Sequence, residues 1–217
     1  SRPRCYKQTG RYLIGTAVAM RKDGSRTREQ IIEESLQIFS VKGYFNTSIT
    51  DILAATGLTK GGLYGHFASK EELWGAAYER AVEIWKGIVF KGARKIADPL
   101  VRIEKVVEND LFRYCGAEVF AGGCFFFNML VELSGQSETM SRRIRTGFME
   151  FAGLLSSWLT EADRRGLLKK GVNHREAADF IVIAINGATA LYTSSRDRRY
   201  LKETSNQLRA YLRQMRA

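Results

Sequence analysis

Between residues 59 and 70 the sequence TKGGLYGHFASK places small or hydrogen-bonding residues at every position except Leu63 and Phe67. Four residues apart, those two fall on one face of a helix, which leaves Thr59, Lys60, Gly61, Gly62, Tyr64 and Gly65 on the other. The chemistry open to such a face is hydrogen bonding to an extended polyanion. Lys60 supplies charge, the Tyr64 hydroxyl can donate to a phosphate oxygen, and the glycines remove side chains that would hold a backbone away. Glycine disfavours a helix by roughly 0.8–1.0 kcal/mol relative to alanine. Three in one short helix therefore ask for a use, and close approach is that use.

Little else in the chain could make or break bonds. There is no nucleophile with a positioned base, no phosphate-binding glycine loop after a strand and no supported carboxylate pair, so no enzyme is expected. His66 and His174 are the only histidines and lie in unrelated segments, so neither a metal nor a cofactor is expected. Cys5, Cys115 and Cys124 are too few and too irregular for a disulfide framework. Cys124 heads the apolar run CFFFNMLVEL, where a helix N-terminus would favour its thiolate. The other reading is a small residue packed in a tight corner, since buried cysteine usually packs rather than reacts.

Local signals show what would hold the polar face in place. Ile49, Ile52 and Leu53 recur at helical spacing, Ser48 can cap that helix with Asp51 three residues on, and Gly57 can take the left-handed conformation that ends it. Leu58 plugs the corner and Thr59 caps the next helix. Two short helices meeting across a tight turn are the pattern of a helix-turn-helix, whose second helix lies in the major groove of DNA. Ile31, Ile32, Leu36, Ile38 and Phe39 predict a helix from Thr27 that Gly43 closes and that covers the back of the pair. Ser69 with Glu72 predicts a capping box, opening a long helix through Leu73, Trp74, Ala77, Ala81, Ile84, Trp85 and Ile88.

The run TKGGLYGHFASKEEL from Thr59 to Leu73, preceded by ITDILAATGL, resembles the DNA-binding domain of the TetR family of bacterial one-component repressors, over Thr27 to about Tyr78. The resemblance implies an all-α dimer. An N-terminal three-helix helix-turn-helix domain is joined to a larger C-terminal helical domain for ligand binding and dimerisation, and a small molecule bound there releases the protein from operator DNA. It further implies that Thr47 and Ser48 touch phosphate, that Thr59, Lys60, Gly61 and Gly62 approach bases, and that Tyr64, His66 and Lys70 hold the DNA backbone. The expected division is a basic flexible arm or non-native extension over residues 1–26, the DNA-binding domain over 27–72 and the ligand-binding and dimerisation domain over 73–217.

Of 217 residues, 45% are hydrophobic and 26% charged, as in an ordinary globular protein. The longest near-continuous apolar run, Phe180 to Tyr192, is shorter than the roughly 18–20 residues that span a bilayer, and no signal peptide is evident. A cytoplasmic protein without a membrane partner is expected. The net charge of +11 sits at the ends: residues 1–28 carry eight Lys/Arg against one Asp, and residues 196–217 carry seven against two acids. A basic segment ahead of a helix-turn-helix serves as a phosphate clamp or minor-groove arm, or is a solvated tail.

Further along, Asp98-Pro99 predicts a capped helix through Leu111, residues 115–123 a break, and residues 124–133 a helix rich in aromatics. A long amphipathic helix follows from Ser137 to Gly166. Asn173 and Glu176 predict another capping box, before a helix from Ala177 to Thr193 that is apolar almost all round and so must be buried on every side. The resemblance pairs these last two long helices with their copies in a four-helix dimer interface; an internal core helix of a monomer is the alternative. Effector-lining candidates on the central helices are Trp85, Phe112, Phe126, Phe127, Met129, Phe148, Phe151 and Tyr192, with Asn128 or Asn186 for orientation. They predict an apolar or aromatic effector rather than a sugar or phosphate. The functional reading is a ligand-released repressor, with a nonspecific DNA-binding module or an electrophile sensor acting through Cys124 as alternatives.

Overall fold

The computed structural model describes residues 24–217, with side chains from Thr27 onward; of the expected arm over residues 1–26, residues 1–23 lie outside the described residues and the last three open the first helix. Helix α1 (Gly24–Lys42) buries Ile31, Ile32, Leu36 and Phe39, and Gly43 ends it at φ 81°. Helix α2 (Ile49–Thr56) has the predicted reciprocal cap. The Asp51 N–H donates to Ser48 Oγ at 3.0 Å, and the Ser48 N–H donates to Asp51 Oδ2 at 2.9 Å. Gly57 closes α2 in the left-handed conformation, its N–H on the Leu53 carbonyl at 2.9 Å.

Helix α3 (Lys60–Tyr64) is only five residues long, with Thr59 Oγ1 accepting the Gly62 N–H at 3.1 Å. Phe67 lies beyond its end. The Phe67 N–H nevertheless reaches the Leu63 carbonyl at 3.1 Å, so both side chains are buried on one side as their spacing predicts. Helix α4 (Lys70–Val89) starts from Ser69, whose Oγ accepts the Glu72 N–H at 3.0 Å. The return bond is displaced by one residue: Glu72 Oε2 accepts from the Ala68 N–H at 2.7 Å, not from Ser69. Leu73, Trp74, Ala77, Tyr78 and Ala81 line the buried side of α4, against which α1 packs.

The C-terminal helices are α5 (Pro99–Glu108), α6 (Phe125–Leu133), α7 (Glu138–Arg164), α8 (His174–Ser195) and α9 (Arg199–Met215). Asp98 caps α5 as predicted, accepting from the Leu100 and Val101 N–H groups at 2.8 and 3.3 Å. Beyond Glu108 the helix continues as a π-helix from Asn109 to Cys115. Asn109 and Asp110 lie inward on it among apolar neighbours, and such insertions often mark functional sites. Asn109 Nδ2 donates to the carbonyls of Val89 and Lys91 at 2.9 and 3.0 Å, tying down the end of α4.

Two expectations change within the single chain. Helix α8 is not buried on every side: Ile183 is 68% exposed, and Phe180 and Leu191 are about half exposed. The predicted capping box at Asn173 is half made, with Oδ1 accepting from the Arg175 and Glu176 N–H groups and no bond returned by Glu176. The basic segment after residue 196, for which no helix is predicted, forms α9. Leu201, Ser205, Leu208, Leu212 and Met215 form the buried stripe of α9, which packs on α8 and α5. By length and composition α8 alone among the described residues could cross a bilayer, yet Ala177, Ala178, Ile181, Val182, Ile185 and Ala188 of it lie in the protein core.

Candidate nucleic-acid interface and effector cavity

The outer side of α3 is open. Thr59, Lys60, Gly61, Tyr64 and Gly65 are exposed, and Gly62 and His66 are partly buried. Internal packing does not demand the glycines: a Cβ added at Gly61 would meet nothing within 4 Å, and one at Gly65 would sit at an ordinary 3.5 Å from the nearest carbonyl oxygens. Their smallness leaves room on the side facing away from the core. Ser48 is exposed at the start of α2, and Lys42 Nζ lies 2.6 Å from Asp51 Oδ1, joining α1 to α2. The Lys42 bond, with those from Ser48, holds the Asp51 carboxyl well below the usual carboxylate range.

Two residues expected at phosphate are used elsewhere. The Thr47 side chain is fully buried, with Oγ1 donating to the Gly43 carbonyl at 2.5 Å and the N–H to the Tyr44 carbonyl at 3.3 Å. Both of its donors are spent inside the loop, which leaves none free for the phosphate expected of it. Lys70 Nζ donates to the carbonyls of Tyr44 and Thr47, each at 2.9 Å, and lies 4.2 Å from the centre of the Tyr44 ring. Burial lowers its pKa, opposed by the charge of Glu132. Two of its three N–H donors therefore position the loop between α1 and α2.

Glu132, near the end of α6, holds the same loop from the other side. Its Oε2 accepts the Tyr44 N–H at 2.9 Å and its Oε1 the Phe45 N–H at 2.8 Å. Gly43 suits this place because its φ of 81° strains any L side chain, and a Cβ would also push the Glu132 carboxylate off the loop amides. The loop is thus gripped through its carbonyls by α4 and through its amides by α6. A lone carboxylate inside the apolar run of residues 124–133 was the available signal for this clamp.

Between α4, α6, α7 and α8 lies a cavity of about 760 Å³. Of the expected lining residues, Trp85, Phe126, Phe148 and Phe151 are in its wall, as is Asn186. Phe112, Phe127, Asn128, Met129 and Tyr192 are not. Asn128 Nδ2 donates to the Gly122 carbonyl at 2.6 Å, the Tyr192 hydroxyl donates to Glu118 Oε1 at 3.0 Å, and Met129 is packed in the core, as Phe112 and Phe127 partly are. The Trp85 ring meets Phe151, Phe90 and Phe126 edge to face at centroid distances of 5.0, 5.4 and 6.3 Å. Tyr78, Phe90, Ile185, Thr189 and, above all, Asp110 complete the wall. The signal for Asp110 was an acid on the buried stripe of Ile103, Val106, Val107 and Leu111. Asp110 Oδ2 accepts from Trp85 Nε1 at 3.2 Å, and burial raises its pKa to about 7 against the pull of that bond and of the Cys115 thiol.

Cys124 also lines the cavity and stands before α6, and its burial favours the packed-corner reading over the thiolate. Burial pushes its pKa up to about 12, outweighing the helix-end N–H groups of Phe127 and Phe126. We expect alkylation of Cys124 by N-ethylmaleimide at pH 8 to be at least about a hundredfold slower than that of N-acetylcysteine, because the thiolate is the nucleophile. Peptide mapping by mass spectrometry reads the rate, and alkylation at the pace of the free thiol would restore the reactive reading.

Among the described residues no group of three His, Cys, Asp or Glu side chains could hold a metal ion. Residues 31–77 match the family model for bacterial regulatory proteins of the tetR family, and residues 99–208 match that of the tetracyclin repressor-like C-terminal domain. The chain is 26% identical over 179 residues to the HTH-type transcriptional repressor DhaR of Mycobacterium sp. (strain GP1), covering 81% of this chain and 87% of DhaR. It is likewise 26% identical over 167 residues to the repressor ComR of Escherichia coli K12, covering 74% and 76% of the two chains. A TetR transcriptional regulator from Chloroflexus aurantiacus superposes with a TM-score of 0.83 at 28% identity, over 89% of this chain and 97% of that one.

Proposed function

The chain belongs to the TetR family of bacterial transcriptional regulators, and from that premise we propose that it is a repressor which binds a palindromic operator as a dimer and is released by an apolar or aromatic effector. The observation that carries this reading is the course of α4. The helix starts at Lys70, which holds the loop ahead of α2 through the Tyr44 and Thr47 carbonyls, and has Trp85 in the cavity wall further along. One rigid element thus touches both the reading head and the effector space, so a ligand that moves the wall of one bears on the placement of the other.

In this reading Lys60, Thr59, Gly61 and Gly62 approach base edges, while Ser48, Tyr64 and His66 hold phosphate. The third donor of Lys70 is left for a phosphate, its chief task being the loop. The exposed apolar face of α8, with Phe180, Ile183 and Leu191 around the exposed Gly187, supports a dimer in which copies pack helix on helix. Two copies would read half-sites centred about 34–36 Å apart, or a multiple of it. The domain division at residues 72 and 73 then cuts through α4, which serves both parts.

Fluorescence anisotropy tests the reading, using DNA flanking the protein's own gene beside a scrambled duplex at two salt concentrations. Preference for the native duplex, held at the higher salt, is expected; equal binding that vanishes with salt would replace the repressor with a nonspecific DNA binder. Lys60→Ala should weaken the preferred duplex by about 1–3 kcal/mol and blur the preference. Tyr64→Phe should weaken all duplexes evenly, because a phosphate contact carries no sequence information.

A further inference from the structure

We propose that the cavity takes an organic cation, an apolar or aromatic body bearing a protonated amine or amidine whose N–H group docks on the Asp110 carboxylate. The inference rests on the cavity being the effector site and names the chemical class of the effector. It begins from a carboxyl in the wrong surroundings. Asp110 is 5% exposed, faces the cavity, and among the described residues has no cationic partner. Its two oxygens accept from neutral donors only, Trp85 Nε1 at 3.2 Å and the Cys115 thiol at 3.8 Å.

The groups around it add no positive charge. On its own helix, Tyr114 and Cys115 are buried acids whose pKa values burial raises well above normal. From α6 comes Cys124, raised in the same way, and from α8 the Thr189 hydroxyl, 3.2 Å from Cys115 Sγ. From α4 comes only the indole of Trp85. An ionised carboxylate in such a place is costly unless paired. A ligand N–H group with a positive charge supplies the missing partner and a donor for the remaining lone pairs.

The rest of the wall suits the same ligand. Trp85, Phe90, Phe126 and Phe151 give an aromatic lining that attracts a cation by its quadrupole and accepts an apolar body. The exposed charges of the wall are three cations, Arg142, Arg143 and Lys86, against two acids, Glu79 and Glu150, with Arg143 paired to Glu79 at 2.5 Å, so the buried negative charge that a cation would meet is that of Asp110. The bond from Trp85 alone would not require an acid, since an asparagine carbonyl accepts from the indole equally well.

The test uses three fluorescent probes of one shape: dansylcadaverine, which carries a primary ammonium; its N-acetyl derivative, which is neutral; and dansyl-6-aminohexanoate, which is anionic. Titrated into the full chain at pH 8, dansylcadaverine is expected to bind at least about tenfold more tightly than either of the others. Asp110→Asn should remove that advantage and leave the acetylated probe within about twofold. The affinity of the ammonium probe should rise from pH 6 to pH 8, as Asp110 ionises around its raised value of about 7, while that of the acetylated probe stays flat. Because the probes are compared on the wild-type protein, the result stands even if the variant folds poorly. Equal binding of the amine and its acetyl derivative, or preference for the carboxylate, would overturn the cation and leave the cavity as effector site. Failure of all three to enter would overturn the cavity reading as well.

Discussion

Glu132→Ala is expected to reduce operator affinity by about tenfold or more while the affinity of the cavity for its ligand stays within about twofold of wild type. The carboxylate makes two charge-assisted bonds to the loop ahead of α2, at 2.9 and 2.8 Å, and bonds to charged groups are worth about 1.5–3 kcal/mol each when nothing replaces them. Water reaches the exposed Phe45 amide, so the net loss is nearer one such bond than two. That loss falls on the placement of α2 and α3 against the C-terminal helices, not on any DNA contact. The same variant should blunt release. Phe126 lines the cavity near the start of α6 and Glu132 grips the loop near its end, six residues or about 9 Å along one helix. A ligand that displaces Phe126 therefore pulls on the clamp. Anisotropy with and without a molecule that releases the wild-type protein reads both effects. Unchanged DNA affinity together with unchanged release would show that coupling runs through α4 alone. Glu132→Gln keeps one acceptor and should fall between the two.

What the sequence shows plainly is whatever closes within a few residues. The Ser48 and Asp51 cap, the Asp98-Pro99 start and the left-handed Gly57 each depend on neighbours four or fewer positions away, and each stands in the structure as the spacing predicts. The clamp on the α1–α2 loop could not be seen in that way. Lys70 closes on Tyr44 across 26 positions and Glu132 across 88, and residue type at neither position names its partner. Matching Thr47 and Lys70 to a family pattern assigned them to phosphate, whereas their donors close a loop first. Asp110 was hidden differently: the helical period of Ile103, Val106 and Val107 carries it onto the inner side, but an acid on an apolar stripe does not by itself announce a cavity. In α9 the period of Leu201, Leu208, Leu212 and Met215 lies among the charges of residues 196–217. For α8 an apolar surface almost all round predicts burial, and the single chain covers only part of it.

Phe67→Ala is expected to abolish binding to every duplex by melting the reading head while the cavity and the oligomer persist. Helix α3 has five residues, fewer than the nucleus-limited length at which an isolated helix is stable, so its place depends on the side chains it buries. Those are Leu63 and Phe67, each 2% exposed, with the Arg28 guanidinium 4.7 Å from the centre of the Phe67 ring. Truncating a buried phenylalanine costs about 3–5 kcal/mol, comparable with the whole stability of a small helical unit. Thermal unfolding followed by circular dichroism should gain an early transition. Sedimentation and probe binding should remain as in wild type, since the exposed face of α8 and the cavity wall draw nothing from Phe67. Lys60→Ala supplies the contrast, because Lys60 is exposed and its loss should leave melting untouched while changing which duplex is preferred. DNA binding by Phe67→Ala at wild-type affinity would mean that α3 is held by contacts other than these two side chains. On the proposed reading, placement and base contact are thus separable within one short segment, the first carried by Leu63 and by Phe67 just beyond the end of α3, the second by the face they turn outward.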